Sequence, residues 1–209
     1  PITLDATQVA ALGEGQVDVS ATQIDAAGNS QMLDASMTQF SIDTDNPTVT
    51  VASATTKLTD AADEVTYTLN FSEPVGTLLS TDLEITGGGL IADTLVLAGD
   101  RRSATFTVEA APDSEANVSV TVKDTVLDVA GNKLVSVTDT EVPVDTRNPT
   151  VTVDSATTKL TDAADEVTYT VNFSEPVRTL TSSDLVITGG DIKAGTNVVL
   201  AQDGRSASF

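Results

Sequence analysis

The sequence predicts an all-β protein built of antiparallel β-sandwich domains arranged as beads on a string. Two observations predict the class. Apolar and polar residues alternate with period 2 along most of the chain, as in Val65-Thr66-Tyr67-Thr68-Leu69-Asn70-Phe71. That pattern sends one face of a strand to a core and the other to water. Turn-forming clusters such as Gly87-Gly88-Gly89 and Ala130-Gly131-Asn132 separate the runs, and no stretch shows a 3.6-residue period. A third observation sets the arrangement. Asn46 to Val75 returns as Asn148 to Val177 without a gap, at an offset of 102 residues, changed only at Ala52/Asp154 and Leu69/Val171. A unit of that length is one small β domain and is too long for a solenoid repeat.

Within the repeat, Val49 and Val51, then Val65 to Phe71, Leu83 and Ile85, Phe106 and Val108, and Val118, Val120 and Val122 mark successive strands. With the strands between these marks, about seven strands per domain are expected. Pro143 lies in the last strand and suits an edge position, where no ladder donor is needed. The boundaries follow from Asp43-Thr44-Asp45-Asn46-Pro47 and Asp145-Thr146-Arg147-Asn148-Pro149. In each, a proline that fixes φ stiffens a short linker. Residues 1–45 are therefore expected to be the C-terminal part of one domain, 46–147 a complete domain, and 148–209 the N-terminal part of a further one. Beyond Gly190 the match continues with one inserted residue, Gly204 to Phe209 answering Arg101 to Phe106.

Composition excludes several functions. The chain has 31 acids against 10 bases, a formal charge of −21, with no Cys, His or Trp. Such a surface repels nucleic acid and anionic membranes and attracts cations. No apolar run approaches membrane-spanning length. Without Cys there are no disulfides or thiolate metal sites. No His, no Cys nucleophile and no G-x-S-x-G elbow are available for catalysis, and an active site copied along with its whole domain is unusual. The chain is not expected to be an enzyme.

Certain residues resemble a known family. Phe71 to Val75 ("FSEPV") after an alternating strand, Asp82 to Gly88 ("DLEITGG") and Asp184 to Gly190 ("DLVITGG") are three of them. The others are the D-x-A-G-N turns, Asp25 to Asn29 and Asp128 to Asn132, and the D-T-x-N-P linkers. Together they are similar to bacterial immunoglobulin-like repeats, which build the extender regions of very large surface adhesins, including those exported by type 1 secretion. The resemblance runs through Asn46 to Arg147. Gly13 to Ser30 is similar to a slightly different subtype. It implies an Ig-like β-sandwich, a stalk at the bacterial cell surface serving cell adhesion, and calcium at domain junctions.

The residues themselves allow that metal. Calcium takes six to eight oxygen ligands from carboxylates, amides and backbone carbonyls. In an Ig-like sandwich the incoming linker, the turn after the second strand and the turn between the last two strands share one pole. Linker residues Asp43, Asp45 and Asn46, then Glu73, then Asp128 and Asn132 would converge there. Asp145, Asn148 and Glu175 are the counterparts at the next junction, and Asp25 and Asn29 are those of the first D-x-A-G-N turn. Asp60, Asp63 and Glu64 belong at the opposite pole. A simpler account treats Asp and Asn as turn formers. It covers the D-x-A-G-N turns well but not Glu73, because a Glu before Pro has no turn role.

The leading expectation is an extracellular spacer stiffened by calcium, whose partners are neighbouring repeats of the same chain and which is monomeric as a fragment. Two alternatives differ in kind. One is an adhesive module that contacts a glycan or host protein, for which an outward threonine set (Thr50, Thr66, Thr68, Thr105, Thr107) is the available surface. The other is a filament subunit, in which residues 1–45 and 148–209 of successive copies complete a domain head to tail.

Overall fold

The computed structural model describes residues 3–33, 39–138, 141–163 and 165–209. The described residues are all-β apart from one short helix and single 3₁₀ turns, and the chain forms two compact units, Pro1–Thr146 and Arg147–Phe209. The first unit opens with α1 (Ala6–Leu12), which the strand periodicity does not predict. Seven residues are too few for an apolar period to show. The signal is local instead: Asp5 accepts from the Gln8 N–H and Gln8 Oε1 accepts from the Asp5 N–H, each at 2.9 Å. This reciprocal capping box starts the helix, and Gly13, at φ 76°, ends it. β1 (Gly15–Asp18), β2 (Ala21–Ile24), β3 (Ser30–Leu33) and β4 (Gln39–Ile42) follow, β1 pairing antiparallel with β4 and β2 with β3.

The sandwich is built from β5 (Val49–Ser53), β6 (Leu58–Thr59), β7 (Glu64–Phe71), β8 (Leu83–Thr86), β9 (Gly88–Leu90), β10 (Val96–Leu97), β11 (Ser103–Ala110), β12 (Ser119–Val122), β13 (Val137–Thr138) and β14 (Val144–Asp145). One sheet has the order β10-β11-β7-β5 with β9 also on β11, and the other has the order β13-β12-β8. β7 and β11 run in register from Glu64 opposite Glu109 to Asn70 opposite Ser103. Alternation then turns Val65, Tyr67, Leu69 and Phe71 inward together with Ala104, Phe106 and Val108. They meet Leu83, Val118, Val120 and Val122 of the second sheet in one core. Tyr67 is fully buried and stacks on Phe106, with ring centroids 5.4 Å apart. Each such side chain contributes about 1.5–3 kcal/mol by leaving water. Thr66, Thr68, Thr105 and Thr107 take the outer face, and the hydroxyls of Thr66 and Thr107 are 3.3 Å apart.

Pro143 itself lies in no strand: it sits between Val142 and β14, and among the described residues β14 pairs only with β6. Val142 exchanges both backbone hydrogen bonds with Val118, at 2.8 and 3.0 Å, and β14 pairs in parallel with β6 on the other side. The Pro143 carbonyl accepts from the Leu58 N–H at 2.8 Å. Leu58 begins β6, so the donor that proline lacks faces chain that is not yet in a strand.

The second unit carries β15 (Val151–Ser155), β16 (Tyr169–Phe173), β17 (Val199–Leu200) and β18 (Ser206–Ser208) in the order β15-β16-β18-β17. Its Tyr169 stacks on Phe209 at 5.5 Å, as Tyr67 does on Phe106. Val151 is 56% exposed, whereas its counterpart Val49 is 5% exposed. The difference follows from the second sheet: β8 is held by β12, and among the described residues of 147–209 no strand forms a second layer.

Candidate metal centre

Glu73 is placed by the turn that ends β7. Ser72 ties this turn to the linker: its N–H donates to the Thr48 carbonyl, and its Oγ accepts from the Thr48 N–H, both at 2.9 Å. The Arg102 guanidinium donates to the Ser72 carbonyl at 2.6 Å, and the Val75 N–H donates to the Arg101 carbonyl at 3.0 Å. Gripped from both sides, the turn holds Glu73 half-buried between them.

Asp128 is placed by its own turn. Oδ1 accepts from the N–H groups of Gly131 (2.6 Å) and Asn132 (2.8 Å), and Oδ2 accepts from Asn132 Nδ2 (2.8 Å). Gly131 lies at φ 101°, where a side chain is disfavoured. A backbone bridge between Val75 and Asp128 and a 2.8 Å bond from the Gly76 N–H to the Leu127 carbonyl set the two turns side by side. Asn132 Nδ2 also reaches the linker, 3.1 Å from the Asp43 carbonyl and 3.3 Å from its Oδ1.

One carboxylate oxygen each from Asp43, Glu73 and Asp128 lie within 4.8 Å of one another. Asp128 is buried, Glu73 half-buried and Asp43 exposed. Burial raises the pKa of Glu73, and the charges of Asp43, Asp128 and Asp45 raise it further, against Arg102. For Asp128 burial also acts upward, but bonds from the Asn132 side chain and from the backbone of Asn132, Gly131 and Ala130 outweigh it and hold the carboxyl below its ordinary range. An open hollow of about 590 Å³ adjoins Asp43 and Glu73, with Asp45, Asn46, Thr48 and Glu14 on its walls. Oxygen donors from three separate segments, crowded enough to repel, fit a hard divalent cation. Asn132 turns its nitrogen to the cluster, so here it orients the acids. Glu14 is the residue that sequence reasoning misses: its carboxylate accepts from the Thr44 N–H at 2.9 Å and from the Thr44 hydroxyl. A lone Glu between glycines carries no sign of a partner thirty residues on.

The remaining predicted residues have other surroundings. Asp25 and Asn29 form the same turn as Asp128 and Asn132, with Asp25 Oδ1 accepting from the Ala27 and Asn29 N–H groups at 2.9 and 2.8 Å. The Asn29 side chain and backbone hold the Asp25 carboxyl below its ordinary range. Among the described residues Asp25 belongs to no cluster of acids. Asp145, in the first unit, pairs with Lys57 at 2.9 Å. Asn148 and Glu175 lie in the second unit. Ser174, Thr150 and Arg205 repeat the frame around Glu175, and one Glu175 oxygen is buried without a hydrogen-bond partner. Asp60, Asp63 and Glu64 lie at the start of β7, the far end of that strand from Glu73.

Two antiparallel sheets packed over one core make residues 46–146 an immunoglobulin-like sandwich. Residues 43–142 match the family model described as a bacterial Ig-like domain. No curated protein and no solved structure matches the chain.

Proposed function

We propose that the chain is part of an extracellular stalk of a bacterial surface protein, an adhesin spacer of tandem Ig-like domains whose junctions are braced by calcium. The likeness of residues 43–142 to bacterial Ig-like domains supports the surface module, since such domains are in general structural and not catalytic. The observation that carries the brace is the trio of Asp43, Glu73 and Asp128: a linker and two turns of the following domain bring their carboxylates within 4.8 Å. Without a cation these charges repel and loosen the linker. A cation would tie the linker to both turns.

The expected gain is more mechanical than thermodynamic. Extracellular calcium modules bind at about 10⁻⁴–10⁻³ M, so millimolar calcium stabilises a site by only about 0.4–1.4 kcal/mol. Self-repulsion of a chain with a charge of −21 favours extension as well. The test is thermal unfolding with small-angle scattering, in calcium and in chelator. A higher melting temperature and a longer particle in calcium are the expected results; no change in either overturns the brace.

A further inference from the structure

Thr44 and Thr146 occupy the same place in the two linkers, second in Asp-Thr-x-Asn-Pro, and both are fastened backward. Thr44 gives its N–H and its hydroxyl to Glu14, the residue just before β1. Thr146, only 2% exposed, gives its N–H to the Ser114 carbonyl at 2.9 Å and its hydroxyl to the Ala111 carbonyl at 2.8 Å, and it accepts from the Ser114 N–H at 2.9 Å. The anchors differ, a carboxylate in one linker and backbone in the other, but the geometry is common. In each case a threonine bonds through N–H and hydroxyl to the loop before the strand that pairs with the chain leading into the linker. β1 pairs with β4 so that Gly15 faces Ile42, which brings Glu14 level with the linker. Val118 faces Val142 in the same way.

We infer that this threonine is a peg fixing each linker to the strands it leaves, so that half of every joint is built from protein alone. Asp43 and Asp45 flank Thr44; the Asp43 carboxylate meets those of Glu73 and Asp128, and both acids border the hollow that Glu14 also lines. A peg between them sets where those two carboxylates stand before any cation arrives. Threonine suits the task because it supplies a hydroxyl on a stiff β-branched side chain. A carboxylate that accepts two hydrogen bonds makes a stronger anchor than a neutral group. The inference does not depend on the calcium reading, and its test is run without metal.

The chain has no cysteine, so spin labels can be placed at Gln16→Cys in β1 and Asn70→Cys in β7 of the otherwise intact chain. Their distance distribution is measured by double electron–electron resonance in chelator. Thr44→Val keeps the shape and removes the hydroxyl, and it is expected to broaden the distribution roughly twofold, toward the free relative motion that is the default for linked domains. Glu14→Ala, which removes the anchor from the other side, is expected to do the same, and Thr44→Ser to keep the parent width. Unchanged widths in Thr44→Val and Glu14→Ala, with circular dichroism showing both folded, overturn the peg.

Discussion

Asn132 reaches back along the chain to Asp43, its Nδ2 3.1 Å from the Asp43 carbonyl. The same nitrogen is held at 2.8 Å by Asp128, so one amide joins the incoming linker to the last turn of the domain. Acids that the sequence spreads over more than eighty residues therefore act on one another. The stability of the linker region depends on how much of that repulsion is relieved, and by which group.

Glu73→Gln removes the charge that burial and three acids disfavour. In chelator at neutral pH this variant is expected to melt above the parent, and calcium is expected to raise its melting temperature less. A calorimetric scan of both proteins in each condition decides it. A lower melting temperature in chelator would show that ionised Glu73 holds the turn together.

The pH profile should show two opposed effects. Asp128 has a lowered folded pKa. Its contribution is complete above its unfolded value, about 3.9, and is lost as pH falls through the folded value. Glu73 has a raised folded pKa, so the stability it lends below about pH 4.3 is lost as pH rises through the folded value. Through these two groups metal-free protein is expected to lose stability on both sides of mild acid, toward neutral pH as Glu73 ionises and toward strong acid as Asp128 takes up its proton. Urea midpoints across that range measure it, and calcium should remove the loss on the neutral side.

Asp128→Ala strands the N–H groups of Gly131 and Asn132 in a partly buried turn, at a cost of about 1–3 kcal/mol. Asp25→Ala breaks the same turn where it is open to solvent and should cost less. Chemical unfolding of the two variants gives the comparison.

Arg101→Gly is expected to stabilise the first unit by about 0.5–1 kcal/mol. Arg101 sits at φ 58°, where a side chain costs about 1–2 kcal/mol, and glycine's greater unfolded freedom offsets part of the gain. The equivalent position of the second unit is Gly204, at φ 68°. The Arg101 carbonyl bond to Val75 has its match in a 2.9 Å bond from the Val177 N–H to Gly204. Equilibrium urea unfolding tests it.

Strand periodicity made the sandwich legible. In β7 and β11 every second residue had to face a core, and Tyr67 lies where that phase puts it. Glu73 was legible because its neighbours gave it no turn to make. Helix α1 was not, being shorter than the period that reveals helices. Nor was the peg, because Glu14 and Thr44 are each unremarkable alone and only the register of β1 against β4 brings them level. Pro143 was legible in part: it stands where no ladder donor is needed, but which neighbour leaves that place open depends on where β6 begins.

The parallel contact of β6 with β14 has a consequence for a molecule under tension. The chain enters the sandwich through β5, which leads directly into β6, and leaves it just after β14. Opposed pulls at the two ends drag these strands lengthwise past each other. Their hydrogen bonds, the one from Leu58 to Pro143 among them, are then loaded together in shear instead of parting one by one as in an opened zip. In the proposed stalk, a module joined in this way would resist a pull applied at its two chain ends, whatever fills its carboxylate cluster.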